Sequence, residues 1–167
     1  MVKISVQNAV DVQRNENRGV IMDKDFVSQI IGQMSLPEPE INKYSPLTLA
    51  YLGDCVYELM IRTMFVYQGN TSAHKLHNRS SRLAKAKTQS DMIRVLKEEL
   101  TKDEIAVYKR GRNAYSATRA KNSTVSDYRR ATGFEALIGY LYMEKKYDRA
   151  VELVKIGLEK LKEAPWQ

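Results

Sequence analysis

The stretch of sequence that decides the fold is Leu49-Ala50-Tyr51-Leu52-Gly53-Asp54-Cys55-Val56-Tyr57-Glu58. Apolar residues fill most positions around Asp54 and continue to Val66, a density that favours a central helix buried on most sides. A carboxylate in such a helix is costly unless a metal, a cation or several hydrogen-bond donors hold it. Asp54 is therefore the first candidate functional residue of the chain.

A second apolar stretch, Phe134-Glu135-Ala136-Leu137-Ile138-Gly139-Tyr140-Leu141-Tyr142, also carries a single acid, Glu135. Two such helices packed together would place two carboxylates face to face, which is how protein oxygens bind a hard divalent cation. Glu58 lies one helical turn beyond Asp54 and can point the same way, so it joins the candidate metal ligands.

Asp54 also has a purely structural explanation, as an acid paired with an arginine such as Arg62 or Arg112. Position in the sequence does not separate the two explanations. Gly53 and Gly139 each remove side-chain bulk near an acid, although a glycine inside a helix costs about 1 kcal/mol relative to alanine. Gly53 therefore predicts a close approach of another backbone, from either a neighbouring helix or a second subunit.

Helix signals follow one another along the chain without an alternating strand pattern, so we predict an all-α fold. Ser45-Pro46 marks the N-cap and the first residue of the Asp54 helix. A bend is expected near Lys85–Lys87, and a capping box is expected at Thr101–Glu104. A final amphipathic helix is predicted from about Tyr147 to Lys162.

The composition excludes several classes of function. Cys55 is the only cysteine, which rules out an internal disulfide and indicates a reducing compartment. The chain has no signal-peptide pattern, no uncharged apolar window long enough to span a bilayer, and no glycine-rich nucleotide loop. We therefore expect a soluble, cytoplasmic protein without a membrane partner, and not a kinase, an ATPase or a dehydrogenase.

The net charge of +7 is concentrated in the middle of the chain. Residues 74–130 hold 15 Lys and Arg against 6 Asp and Glu, whereas the remainder holds 12 against 14. A confined basic segment favours a polyanionic partner, most simply nucleic acid, although a solvated helix surface gives the same pattern. The candidate nucleic-acid contacts are Lys85, Lys87, Lys109, Arg110, Arg112, Asn113, Arg119 and Lys121.

Two motifs make the chain resemble the ribonuclease III family. Tyr51-Leu52-Gly53-Asp54-Cys55-Val56 is similar to the signature helix of that family. Phe134-Glu135-Ala136-Leu137-Ile138-Gly139-Tyr140-Leu141 is similar to its second acidic helix, in the same order and with a basic helical region between them. The resemblance covers roughly residues 45–163 and implies the all-helical ribonuclease III catalytic domain there, after a partly flexible N-terminal extension over residues 1–44.

Three further motifs resemble the Mini-III branch of that family: Leu76-His77-Asn78-Arg79-Ser80-Ser81-Arg82, Lys109-Arg110-Gly111-Arg112-Asn113-Ala114 and Tyr128-Arg129-Arg130. Members of this branch lack a separate double-stranded-RNA-binding domain, and the length of the chain leads us to expect none. The resemblance implies a homodimer, a double-stranded RNA substrate and precursor ribosomal RNA of the 23S type as the natural target. It also leaves room for a ribosomal protein as a helper.

The resemblance implies a mechanism as well. Asp54 and Glu135 would be the catalytic residues and direct metal ligands, and Glu58 an auxiliary ligand through water. Mg²⁺, or Mn²⁺ in its place, would activate a water for in-line attack on phosphorus and stabilise the departing 3′ oxygen. The cleaved RNA would then carry a 5′ phosphate.

The chain departs from the fuller family pattern at Leu47, Ala50 and Thr132, where that pattern has further acids. These missing acids keep open a non-catalytic RNA-binding or ribosome-assembly factor built on the same fold. Asp54 and Glu135 oppose that alternative, because binding alone gives no reason to keep two costly acids in apolar helices. A purely structural helical protein is a third alternative, and the confined basic segment argues against it.

Overall fold

The computed structural model describes residues 25–115 and 124–165. Its two compact units divide between Pro39 and Glu40. Residues 1–24 of the extension predicted over residues 1–44 lie outside the described residues, as do two of the candidate RNA contacts, Arg119 and Lys121.

Within the described ranges the secondary structure is helical and contains no strand, which confirms the predicted all-α fold. No helix in this part of the chain is long and apolar enough to cross a membrane. The α-helices are α1 (Phe26–Gln33), α2 (Pro46–Tyr67), α3 (Ala73–Ala84), α4 (Ala86–Val95), α5 (Lys102–Asn113), α6 (Val125–Met143) and α7 (Tyr147–Lys160), with a 3-10 helix at Ile41–Lys43.

The helix ends follow from local sequence signals. The Ser45 side chain accepts a hydrogen bond from the Thr48 backbone amide at 3.1 Å, and Pro46 is the first residue of α2, as predicted. The helical region after Gly69 breaks at Lys85, whose extended backbone (φ −65°, ψ 142°) separates α3 from α4. Thr101 and Glu104 form the predicted capping box.

α6 is the central helix of the larger unit. It packs against α2, α4, α5 and α7, and its buried residues lie on every side of the helix between Ala131 and Leu141. The sequence had predicted that α2 would be buried on most sides. Instead, α2 buries one face and leaves an apolar stripe exposed, because several of its apolar residues face away from α6.

The backbones of α2 and α6 touch where their glycines meet. A Cβ added to Gly53 would lie 1.8 Å from the Glu135 carbonyl oxygen, and one added to Gly139 would lie 2.0 Å from the Leu49 carbonyl oxygen. The backbone that approaches Gly53 therefore belongs to a neighbouring helix of the same chain. Gly53 is thus no argument for a subunit interface.

Aromatic packing supports the same contact. The Tyr57 and Phe134 rings meet edge to face, with centroids 5.2 Å apart and planes at 84°. The Tyr57 hydroxyl donates to the Leu83 carbonyl oxygen at 3.1 Å, which ties the end of α3 to the same point. Tyr57 lies about one turn after Asp54 on α2, and Phe134 directly precedes Glu135 on α6. The contact between their rings therefore restricts the rotation of both helices.

Gly53→Ala should destabilise the protein because the new methyl group meets backbone atoms of α6 that cannot move alone. We expect a loss of about 3 kcal/mol or more in the free energy of unfolding, at or above the usual range for overpacking. Gly157→Ala is the matched control, because its methyl group would meet only ends of side chains, those of Met92 and, at 3.5 Å, Leu96. Chemical denaturation of both variants measures the difference, and equal stabilities would contradict the role of Gly53.

Candidate active site

The glycine contact brings Asp54 of α2 and Glu135 of α6 to the same place. Asp54 follows Gly53 directly, and the Glu135 carbonyl oxygen is the atom nearest to the position that a Cβ on Gly53 would occupy. Both acids are partly buried. Their charges interact, since Asp54 raises the pKa of Glu135. The predicted juxtaposition of the two carboxylates is therefore present.

Glu135 is the more strongly perturbed of the two acids. Burial raises the pKa of Glu135 to about 7, and the neighbouring Asp54 carboxylate adds to the rise. Near neutral pH, Glu135 therefore carries a proton about half of the time when no cation is present. A nearby positive charge would favour the ionised form and draw both carboxylates together.

Asp54 is perturbed in the same direction. Burial is the main cause of its raised pKa, and Glu58 adds a repulsive charge from one helical turn further along α2. The structural alternative of an arginine partner fails within the described residues. Arg62 pairs with Glu58, and Arg112 donates to the side chain of Asn113 at 3.1 Å.

Gln89 of α4 is a member of the site that the sequence analysis missed. Its side chain is 1% exposed and lies close enough to Asp54 and Glu135 to lower the pKa of each. Neither its amide nitrogen nor its amide oxygen completes a hydrogen bond of ordinary geometry within the described residues. The sequence feature that could have identified Gln89 is its position on the same face of α4 as Ile93 and Leu96, which are buried in the core.

Glu58 is paired with an arginine of its own helix. Its carboxylate accepts hydrogen bonds from Arg62, with the Arg62 Nε at 3.0 Å. It remains close enough to Asp54 to raise the pKa of that residue. Its role as an auxiliary ligand stays a prediction.

Ala50 and Thr132 occupy two of the positions where the fuller family pattern has further acids. Ala50 is buried, and the Thr132 hydroxyl donates to the Tyr128 carbonyl oxygen at 3.0 Å. No group of three His, Cys, Asp or Glu side chains that could hold a metal occurs within residues 25–115 and 124–165. The site thus offers two carboxylates and the unpaired Gln89 amide, an all-oxygen donor set that fits a hard cation such as Mg²⁺.

The described candidate RNA contacts fall into two groups. Lys85 and Lys87 lie where α3 meets α4, and Lys87 is paired with Asp91 at 2.8 Å. Lys109, Arg110, Arg112 and Asn113 occupy the last turn of α5, and the Arg112 guanidinium lies 5.7 Å from the Tyr108 ring centroid.

A polar cleft extends the α5 group onto the start of α6. The cleft has a volume of about 500 Å³ and is lined by Arg112, Asn113, Val125, Ser126, Arg129 and Arg130. Arg129 and Arg130 belong to the predicted basic segment over residues 74–130, although they are not among the eight named candidate contacts. Their proximity to Arg112 depends on how α5 packs against α6, which spacing alone does not give.

Comparison with known proteins agrees with this geometry. The Ribonuclease III domain family matches residues 47–146. A Mini-ribonuclease 3 of Clostridium tetani is 43% identical over 148 residues, covering 88% of this chain and 91% of that protein. A Mini-ribonuclease 3 of Streptococcus pneumoniae is 40% identical, covering 73% of this chain and 97% of that protein.

A solved structure supports the same assignment. The crystal structure of a Fusobacterium nucleatum protein matches with a TM-score of 0.67 and 30% identity, over 72% of this chain and 98% of that chain. The acid pair at the α2–α6 contact lies inside the segment that the family matches. The chain therefore belongs to the ribonuclease III family, in its Mini-ribonuclease 3 branch, and is an endoribonuclease.

Proposed function

We propose that the chain is a divalent-cation-dependent endoribonuclease that cleaves double-stranded RNA. Asp54 and Glu135 would hold Mg²⁺ or Mn²⁺, with Glu58 as an auxiliary ligand through water. The observation that carries this proposal is the pair of interacting carboxylates at the α2–α6 contact, one with its pKa raised to about 7. Such a pair is unfavourable for folding and becomes useful when a cation binds.

The chemistry is hydrolysis of a phosphodiester. Asp54 and Glu135 would hold the cation, and the chemistry that a bound divalent cation would supply is activation of a water for in-line attack on phosphorus and stabilisation of the departing 3′ oxygen. The P–O3′ bond breaks, the water oxygen stays on phosphorus, and the 3′ oxygen gains a proton. The products carry a 5′ phosphate and a 3′ hydroxyl. Asp54 and Glu135 stay charged through the reaction because they face the cation.

The cations of α5 and α6 would hold the RNA. Lys109, Arg110 and Arg129 are exposed, and none forms an ion pair with a residue in the described part of the chain. They are therefore free to contact phosphates. Arg129 lies six residues before Glu135 on α6, or roughly 9 Å along the helix axis. Backbone contacts of this kind favour duplex shape over sequence.

A second copy of the chain is the partner we propose for the exposed face of α2. Tyr51, Leu59 and Val66 are 79%, 59% and 55% exposed and lie along one side of the helix. An apolar stripe of this kind marks an interaction surface, and a two-fold dimer covers it with its own copy. Sedimentation of the full chain as a monomer at micromolar concentration would contradict this part of the proposal.

The Mini-III resemblance leads us to propose precursor ribosomal RNA as the natural duplex. A ribosomal protein as a helper stays a prediction. We place the protein in the cytoplasm because Cys55, its only cysteine, is a free and exposed thiol, as expected in a reducing compartment.

Cleavage of a labelled RNA duplex separates an enzyme from the rival, a non-catalytic RNA-binding factor. Wild-type protein should cut the duplex with Mg²⁺ and leave it intact with a chelator. Asp54→Asn and Glu135→Gln should each lower the rate at least about 100-fold, because each removes a charged ligand of the cation. Binding without cleavage by wild type at saturating Mg²⁺ would favour the rival.

The raised pKa of Glu135 predicts how the free energy of unfolding depends on pH when no cation is bound. Its pKa is about 7 in the folded protein against 4.5 in the unfolded chain, so the folded state binds more protons between these values. The stability of wild type should therefore fall as pH rises through this range. We expect the advantage of Glu135→Gln over wild type to grow by roughly 2 kcal/mol from pH 5 to pH 8.

Urea unfolding of both proteins in a chelator measures this difference. Glu98→Gln is the control, because Glu98 is an exposed acid that is not part of the acid pair. Added Mg²⁺ should stabilise wild type and not Glu135→Gln. A stability difference that stays constant with pH would show that Glu135 is not an unfavourable buried acid.

Replacing Lys109, Arg110 and Arg129 together by glutamine should weaken duplex RNA binding and flatten its dependence on salt. Each lost phosphate contact should reduce the log–log slope by roughly 0.7–0.9. The matched control replaces three exposed lysines outside this surface, Lys97, Lys155 and Lys162. Binding would be measured in Ca²⁺ across a salt series, and equal slopes for the two triple variants would place the RNA elsewhere.

A further inference from the structure

Gln89 is the buried polar group that the proposed chemistry leaves unexplained. Gln89 is 1% exposed, and neither atom of its amide completes a hydrogen bond of ordinary geometry with a described residue. An unpaired buried amide costs about 1–3 kcal/mol. A leucine or methionine would fill the same volume without that cost, so packing alone does not account for a glutamine here.

The fold holds α4 in a fixed orientation on α6. The next residue, Ser90, is fully buried, and its hydroxyl donates to the Asp127 carboxylate in the first turn of α6 at 2.8 Å. Arg130 lies 3.4 Å from the same Asp127 oxygen. On the same helix, Gln89 lies close enough to Glu135, about two turns further along α6, to lower the pKa of that acid.

The chemistry of the amide matches its neighbours. Asp54 and Glu135 offer only acceptors when ionised, and the Gln89 amide nitrogen carries two hydrogens to donate. One amide can therefore reach both carboxylates and reduce their repulsion without adding a charge of its own. A lysine in its place would neutralise the site and compete with a divalent cation.

We propose that Gln89 is a positioning residue that holds the Asp54 and Glu135 carboxylates in the arrangement that receives a divalent cation. The inference rests on the proposed function, since it assumes that the acid pair binds a cation. Removing the amide should weaken cation affinity by about tenfold or more, as is usual for groups that orient metal ligands. The fold should be affected little by Gln89→Met, because methionine keeps nearly the same side-chain volume in the core.

Calorimetric titration with Mn²⁺ and thermal unfolding in a chelator together test this. Gln89→Met should bind Mn²⁺ at least about tenfold more weakly while its unfolding midpoint stays close to that of wild type or rises. Thr88→Val is the matched control on the same helix. It removes the hydroxyl that donates to the Arg82 carbonyl oxygen at 2.9 Å, so it should lower the midpoint and leave Mn²⁺ affinity unchanged.

If Gln89 had only a structural role, Gln89→Met would instead lower the unfolding midpoint and leave the Mn²⁺ affinity unchanged. Gln89→Asn provides a second variant if the methionine variant does not fold, because its shorter amide cannot reach both carboxylates. Unchanged Mn²⁺ affinity of a folded Gln89 variant would overturn the proposal and leave the proposed function intact. Absence of Mn²⁺ binding by wild type would overturn both.

Discussion

The direct contact between the α2 and α6 backbones is the constraint on which the site depends. Gly53 and Gly139 lie against the carbonyl oxygens of Glu135 and Leu49, closer than any side chain would allow. That contact fixes the rotation of both helices, and Tyr57 and Phe134 reinforce it with an edge-to-face ring contact. Asp54 and Glu135 then have no freedom to separate, because each is within one residue of a contact point.

The contact brings two partly buried carboxylates together, and the rest of the fold does not return the pKa of either to its ordinary value. Asp54 and Glu135 both have raised pKa values, and burial is the first cause for each. Arg62, one of the arginines considered as a partner for Asp54, is paired with Glu58 instead. The acid pair and the Gln89 amide, which completes no hydrogen bond of ordinary geometry within the described residues, both lower the stability of the fold. Such losses of stability are expected where a site serves binding or catalysis.

Much of this site could be predicted from the sequence, because a lone acid in an apolar helix is a strong signal. Asp54 and Glu135 were found that way, and the helix caps at Ser45 and Thr101 followed from short-range chemistry. Gln89 was missed because a glutamine in a helix is usually at the surface, and only packing against α6 reveals its burial. Gly53 predicted a close approach but not its partner, since spacing alone does not distinguish a helix of the same chain from a second subunit.

The central claim is that Asp54 and Glu135 bind one cation jointly, and a double-variant cycle of Mn²⁺ affinity tests it most directly. Titration calorimetry would compare wild type, Asp54→Asn, Glu135→Gln and the double variant. Joint binding predicts that either single substitution removes most of the affinity and that the double variant is little worse than either. Small losses that add independently, or wild-type affinity in either single variant, would contradict the account.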